Sequence, residues 1–419
     1  MKKQQTNLLF QKTIKYVYEN SDFYRNKMKE HNISINNIKS IDDIAKLPFM
    51  DKKDLVDNYP YNLFMIPLED IKELHSSSGT TTTPIIIGFN EHDLELWTES
   101  NAELCEYEGF TKNDIVQLCV GYGMFTGAMG FHRGLQKIGA TIVPAGIGNT
   151  LKQVTYLKDF NVTAIETTPN YAVYLAETAK TMGINLQELN IRKVSVGSEK
   201  LTSELRKRIQ LLYGPNVSIT QNYGLCEMMG PTVAAECEHQ TGLHFTSKIY
   251  PEIINPNTGE VLPVGEVGEL VLTLFDRETM PIIRYRTHDI ACLKQVKCKC
   301  GYEGLSIVEI LGRTDSMIKI KGVNVFPSTI EEILLKNQYV TSNYEIIVDN
   351  NNFKDFIIIK IEYTDKLSTA QKEFISNIEK DLKSEIQSVL GISVSVELHD
   401  FGTLKRFNGK AQRLVDLRK

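Results

Sequence analysis

Long hydrophobic runs are missing from this 419-residue chain: no stretch is long and apolar enough to span a bilayer, and the opening MKKQQTNLLF carries no signal-like run. No membrane partner is therefore expected, and a reducing cytoplasm is the expected location. Disulfides are not expected there, so the seven cysteines should be free thiols or metal ligands. A basic block is also lacking. With 47 Lys and Arg against 52 Asp and Glu and a net charge of -5, nucleic-acid binding has little support. No internal repeat of solenoid period is present. What is present is 42% hydrophobic residues, enough over this length for more than one core, so a large domain with a smaller one is expected.

Four segments carry chemistry. RYRTHD and GRTDSMIKIKGVNVFP, between 284 and 327, place acids, an arginine and glycines between apparent strands. Asp289 can accept from two ribose hydroxyls and Arg313 can donate to the same sugar or to a phosphate; a surface turn followed by a strand accounts for the same residues. HSSSGTTTTP begins at His75. Gly79 lets the backbone turn its amides inward, and Ser77, Ser78, Thr80 and Thr81 offer hydroxyls to phosphate oxygens. No Gly-Lys-Ser/Thr closes this loop, so it is not a Walker loop. Its composition is also that of a linker, but the strand-like IKELH and PIIIGFN on either side favour a structured loop. In QNYGLCEMMGP, after the strand-like VSI, Glu227 can hold a magnesium ion on a triphosphate, or can simply begin a helix. Lastly, Lys410 follows a glycine in FGTLKRFNGKAQRLVD.

In this order the segments resemble the adenylate-forming superfamily of acyl-CoA synthetases, and within it the phenylacetate-CoA ligase family. YENSDFYRNKM, GYGMFTGAMGFHRGLQKIGATIVP, TPNYAVYLAE and GVNVFPSTIEE extend the resemblance over nearly the whole chain. It implies an α/β fold with a large N-terminal adenylate-forming domain, 1–313, and a small mobile C-terminal α+β domain, 314–419. It also implies ATP-dependent activation of a small-molecule carboxylic acid to an acyl-adenylate, then transfer to CoA. By resemblance Lys410 bridges the carboxylate and the α-phosphate, the loop 76–84 holds pyrophosphate and Glu227 holds Mg2+. Asp289 and Arg313 match the ribose contacts. Ser198, Glu199, Asn222, Tyr223 and Gly224 lie along adenine, and Asp315 is the hinge. Tyr122 and Phe125, with Met124, line the acyl pocket, faced by Met228, Met229 and Pro231; an aryl or arylacetic acid is the substrate implied. A carrier-protein thiol or an amine is the alternative acceptor, and a non-catalytic nucleotide-binding relative is the alternative to an enzyme. A homodimer is a further partner the resemblance leaves open.

Three positions depart from the family pattern. Thr82 and Thr83 replace the expected glycine and lysine, which predicts weaker ATP binding. LKRFNGK stands for the usual Pro-Arg-Ser-Glu-Gly-Lys run, and Thr246, Ser247 and Lys248 stand where an acidic pair is usual after His244.

Cys237, Cys298 and Cys300 with one imidazole make a closed tetrahedral zinc set, for which His239 and His244 compete by spacing. The resemblance favours His244 and a structural zinc ion. Cys105, Cys119 and Cys292 read as small hydrophobic thiols.

Overall fold

The computed structural model describes residues 3–77, 84–314, 318–320, 323–351, 354–364, 367, 372–406 and 413–418. The chain divides into two compact units, Met1–Gly146 with Val162–Glu166 and Thr220–Ile310, and Ile147–Asn161 with Thr167–Ile219 and Leu311–Lys419.

In the first unit the short strand Ile115–Leu118 pairs in parallel with Thr141–Val143 and with Ala164–Glu166 of the strand Ala164–Thr167. Parallel strands buried on both faces usually read as continuous apolar runs; IVQL and AIET depart from this by burying Gln117, Glu166 and Thr167. The rest of the unit is antiparallel. Ile249–Ile254, Val267–Leu274 and Ile282–Lys297 pair in succession, while Asn222 and Tyr223 pair with Ala235 and Ala234. The helix Glu91–Glu108 is capped by Asn90, which accepts from the Asp93 amide at 2.8 Å, and it ends at Gly109 with φ 87°. A left-handed residue costs glycine nothing, so the chain can reverse there. That helix buries Leu96 and Trp97 with Phe89, Met228, Met229 and the strand residues Leu270, Leu272 and Ile282. Each fully buried side chain of this size contributes about 1.5–3 kcal/mol.

RYRTHD does not lie between strands, as its polar residues suggest; it lies within Ile282–Lys297. Arg284 and His288 have φ of 51° and 63°, and the pairing with Val267–Leu274 slips between Glu269 and Val271. Such bulges re-aim a side chain. Two arginines of the motif are structural. Arg284 holds Glu252 through Nε at 3.1 Å and Nη2 at 3.0 Å and caps the Leu47 carbonyl at 2.7 Å, and Arg286 grips Glu269.

In the second unit Val340–Asn351 and Lys354–Tyr363 form an antiparallel pair, flanked in parallel by Leu414–Asp416 and Ser395–His399. The alternating or apolar runs EIIVDN, FIIIKIEY and SVSVELH fall on these strands, and the segment of 3.6-residue period between the last two forms the helix Lys372–Leu390. Its Ile378, Leu382 and Ile386 bury against Ile346, Val348, Ile357, Ile359 and Ile361. The unit also contains Pro169–Thr181, Lys193–Val196, Ser203–Tyr213 and Pro327–Leu335.

Among the described residues no helix is long and apolar enough to cross a membrane.

Candidate active site and metal cluster

The hairpin of Glu73–Ser76 and Ile86–Phe89 presents the Ser/Thr loop. Ser78, Gly79, Thr80 and Thr81 lie outside the described residues, as do Asp315 and Lys410. Ser77 is described: its amide donates to the Ile85 carbonyl at 3.1 Å, and its buried hydroxyl has no partner among the described residues. An orphaned buried hydroxyl at the mouth of this loop is a donor in want of an acceptor. His75 is locked beside it by Glu73, by the Met124 carbonyl at 3.2 Å and by edge contacts with Phe89 and Trp97.

Asp289 and Tyr223 meet. The bulge turns Asp289, 6% exposed, onto the Tyr223 hydroxyl, which donates to Oδ2 at 2.6 Å. That bond anchors the ring of Tyr223 and orients the carboxylate. Asn222 points the other way. Its side-chain nitrogen donates to both oxygens of the buried Glu166 at 3.1 and 3.3 Å, so it stiffens the strand Ser218–Tyr223 from behind. Gly224 is required by close approach: a Cβ there would sit 1.9 Å from the Pro231 carbonyl oxygen.

Glu227 occupies a single 3-10 turn, Cys226–Met228, not the start of a longer helix. Tyr285 donates to its Oε1 at 3.5 Å, and Arg277 donates to its carbonyl at 3.2 Å. Arg277, 1% exposed, is a residue the motif reading missed. Its other Nη donates to the Gly88 carbonyl at 3.1 Å, which ties the Glu227 turn to the strand leaving the Ser/Thr loop. Burial pushes its guanidinium down to about 10 against the pull of Asp93, whose carboxylate lies 3.9 Å from Nε. No local signal in LFDRETMP marks this arginine, because its role exists only once distant carbonyls converge on it.

The expected pocket residues divide. Met228 and Met229 are 1% and 3% exposed in the main core, whereas Phe125 and Met124 are 43% and 51% exposed. Tyr122 bonds His132 Nδ1 at 3.0 Å, and burial raises its hydroxyl to about 12. The helix Thr126–Lys137 meets the turn after Glu227 through Thr126, whose hydroxyl donates to Cys226 Sγ at 3.2 Å, and through Gly130, where a Cβ would clash with Pro231. Trp97 closes the contact by donating to the Gly230 carbonyl at 2.6 Å.

In the second unit Ser198 adopts φ 68°, and Glu199 Oε2 accepts from Asn170 at 2.6 Å. Arg313 ends the strand Glu303–Arg313 just after Gly312, at φ 154°.

The sulfurs of Cys237, Cys298 and Cys300 and a nitrogen of His244 all lie within 4.8 Å of one another. Strand pairing does this. His244 sits opposite Ala235 and Ser306, and the turn after Ile282–Lys297 returns Cys298, whose sulfur is 3.5 Å from that of Cys237. Zinc–sulfur bonds near 2.3 Å give tetrahedral edges of about 3.8 Å, close to these separations. Ser306 bonds His244 Nδ1 at 2.9 Å, Tyr302 stacks on the ring at 4.2 Å, and the buried Nε2 has no partner among the described residues. Burial pushes the imidazole down to about 4, which favours the neutral ring that a metal ligand must present. His239 is not in the cluster; it lies beside Glu238. Cys105, Cys119 and Cys292 are buried and distinct from it.

Comparison with known proteins follows this geometry. The AMP-binding enzyme family matches residues 34–273, and the AMP-binding enzyme C-terminal domain matches 322–418. The chain is 38% identical to phenylacetate-coenzyme A ligase of Pseudomonas putida over 97% of its own length and 92% of that protein's. Phenylacetate-coenzyme A ligase of Escherichia coli (strain K12) is 35% identical over the same shares. The fold is that of a 2-hydroxyisobutyryl-CoA ligase solved in its postadenylation state, with TM-score 0.92 at 24% identity, covering 99% of this chain and 89% of that one. The chain belongs to the phenylacetate-coenzyme A ligase family of AMP-binding enzymes.

Proposed function

We propose that this protein joins an aryl or arylacetic acid to CoA at the expense of ATP. A carboxylate oxygen attacks the α-phosphorus, pyrophosphate leaves, and the CoA thiol, giving up its proton, attacks the acyl carbon and expels AMP. The single observation that carries this reading is the Tyr223–Asp289 pair beside the Glu227 turn in a unit of AMP-binding sequence. The names of the relatives support the arylacetic substrate.

Negative charge accumulates on the α-phosphate in the first step, so preorganised donors and cations carry most of the catalysis. Lys410 is assigned to bridge the carboxylate and α-phosphate, and Ser77, Ser78, Gly79, Thr80 and Thr81 to the pyrophosphate. Asp289 and Arg313 are assigned to the ribose, and Ser198, Glu199, Tyr223 and Gly224 to adenine, with Asn222 expected on that wall but held behind it by Glu166. Glu227 would hold Mg2+, which when bound neutralises phosphate charge. Tyr122, Phe125, Met228 and Pro231 are assigned to the acyl group. The domain boundary is placed at 313/314, which the C-terminal match over 322–418 supports, with Asp315 as the hinge. Zinc is assigned to Cys237, His244, Cys298 and Cys300 in a structural role, since four protein ligands leave no position for water. A cytoplasmic location belongs to the same reading.

The test is ATP/pyrophosphate exchange over a panel of aryl, arylacetic and short aliphatic acids, followed by CoA. Lys410→Ala should lower exchange by about 10²–10³-fold and spare thioester formation from preformed adenylate. Exchange without a CoA thioester would redirect the reading to a carrier-protein or amine acceptor. No exchange with any acid would overturn it.

A further inference from the structure

Along the strand Lys354–Tyr363 of the second unit, Ile357, Ile359 and Ile361 bury in the apolar core, so by alternation Glu362 lies on the opposite face of the sheet. It is nevertheless 0% exposed. A polar segment covers it. Arg406 donates to both carboxylate oxygens, Nη1 to Oε1 and Nη2 to Oε2, each at 2.7 Å, while the Leu404 amide and the Asn343 side-chain nitrogen donate to Oε1 at 2.7 and 3.1 Å. Arg406 Nη1 also reaches the Leu404 carbonyl at 3.3 Å, and its guanidinium lies over the Phe401 ring, 5.5 Å from its centre. The next residue, Tyr363, holds the start of the same segment. Its hydroxyl donates to Asp400, and Thr403 closes a turn by donating to the Asp400 carbonyl from its amide at 3.2 Å and its hydroxyl at 2.7 Å.

A second arginine is fixed further along. Arg413 Nη1 donates to the Ser342 carbonyl at 2.5 Å, its guanidinium lies over the Tyr344 ring at 4.0 Å, and its carbonyl accepts from the Ile346 amide at 2.7 Å. Leu414–Asp416 then pairs with Val340–Asn351. Arg406 and Arg413 are thus tied to neighbouring strands, and in the sequence between them stands Lys410, four residues after one and three before the other.

Burying a carboxylate against a guanidinium is a costly way to cover one face of a sheet, since apolar residues in the same place are often as stable or more so. What the pair supplies is position, because two parallel bonds between planar groups admit one orientation. We propose that Glu362 is a positioning residue for adenylation: with Arg406 it fixes the chain leading to Lys410, and Arg413 fixes the chain that follows. The proposal rests on the assignment of Lys410 to the carboxylate and α-phosphate. Glu362 acts through that lysine, so its loss should slow the first half-reaction and leave the second intact.

The test is made on the full chain with Arg406→Ala, whose side chain is 24% exposed and whose removal leaves Glu362 its bonds from Leu404 and Asn343. Glu362→Gln, Arg406→Lys and Lys410→Ala are measured alongside, each in ATP/pyrophosphate exchange and in thioester formation from preformed adenylate and CoA. In Arg406→Ala and Glu362→Gln the kcat for exchange should fall roughly 10- to 150-fold, the loss expected of a hydrogen bond to a charged group, with the KM for ATP and thioester formation little changed. Arg406→Lys keeps the charge without the two-pronged grip and should recover part of the loss. Unchanged exchange in Arg406→Ala, or equal losses in both half-reactions, would overturn the positioning role. If Lys410→Ala alone loses exchange, the functional reading stands and this proposal falls; if Lys410→Ala keeps full exchange, or the unmodified protein exchanges with no acid, both fall. The clamp is read without activity by hydrogen exchange of the Leu404 amide, corrected for the intrinsic rate, which should quicken by at least about tenfold in Arg406→Ala. An unchanged rate there would overturn the clamp.

Discussion

Replacing Arg277 with methionine keeps most of the side-chain volume and removes a cation that faces Asp93, which is 0% exposed. The Asp93 carboxylate would retain the amides of Glu278 at 2.8 Å and Thr279 at 2.9 Å, while the carbonyls of Glu227 and Gly88 would each lose a donor. Breaking a buried pair from one side costs about 3–5 kcal/mol, because the remaining charge stays buried. The carbonyl losses overlap that figure rather than add to it. At about 2 °C per kcal/mol for a unit of this size, the melting point should fall by roughly 6–10 °C. Asp93→Asn in the Arg277→Met background should recover part of the loss, since no charge then remains to be matched. Thermal unfolding of the two single variants and the double variant measures this, with the KM for ATP measured alongside because Gly88 lies in the strand that follows the Ser/Thr-rich segment proposed to hold pyrophosphate. A fall of less than about 2 °C for Arg277→Met, or strictly additive losses in the double variant, would refute the account of Arg277 as the tie between that strand and the Glu227 turn.

Zinc should be present at one equivalent by elemental analysis, and Cys237→Ser should lose both the metal and melting temperature while the folded fraction keeps its kcat. The metal competes with protons for its ligands, so release to a chromogenic chelator should increase as pH falls. Against its burial, hydrogen bonds from Thr241 and Cys300 hold the Cys298 thiol down, while burial raises those of Cys237 and Cys300, so proton competition at the ligands extends over a wide range of pH. Asp289→Asn keeps the shape and removes the charge that Tyr223 addresses; a hydrogen bond to a charged group is worth about 1.5–3 kcal/mol, so the KM for ATP should rise roughly 10- to 150-fold. Gly224→Ala places a methyl group 1.9 Å from a backbone oxygen that cannot swing aside, and should cost at least about 3 kcal/mol in unfolding free energy or prevent accumulation of folded protein.

The strands Val340–Asn351 and Lys354–Tyr363 and the helix Lys372–Leu390 were legible in the sequence because the strands are alternating or apolar and the helix is amphipathic, where periodicity is a strong local signal. The polar motif RYRTHD was less so. Its charged residues suggest a turn, but Arg284 and Arg286 are neutralised by Glu252 and Glu269 on neighbouring strands, which allows the segment to run as a bulged strand. The candidate site follows the same division. Asp289, Tyr223 and Glu227 stand out as residue types in motifs, whereas Arg277, Asp93 and Asn170 lie in unremarkable surroundings and gain meaning from partners far along the chain.

The sequence by itself determined the kinds of group available and their order: a hydroxyl-rich loop, acids and arginines beside strands, and three cysteines with two nearby histidines. Only the tertiary structure decided which of these meet. Strand register set His244 opposite Ser306 and left His239 beside Glu238, and a bulge carried Asp289 onto Tyr223. Register flips a side chain from one face to the other with a slip of a single residue. It is set by how whole faces bury, and no short motif carries that information.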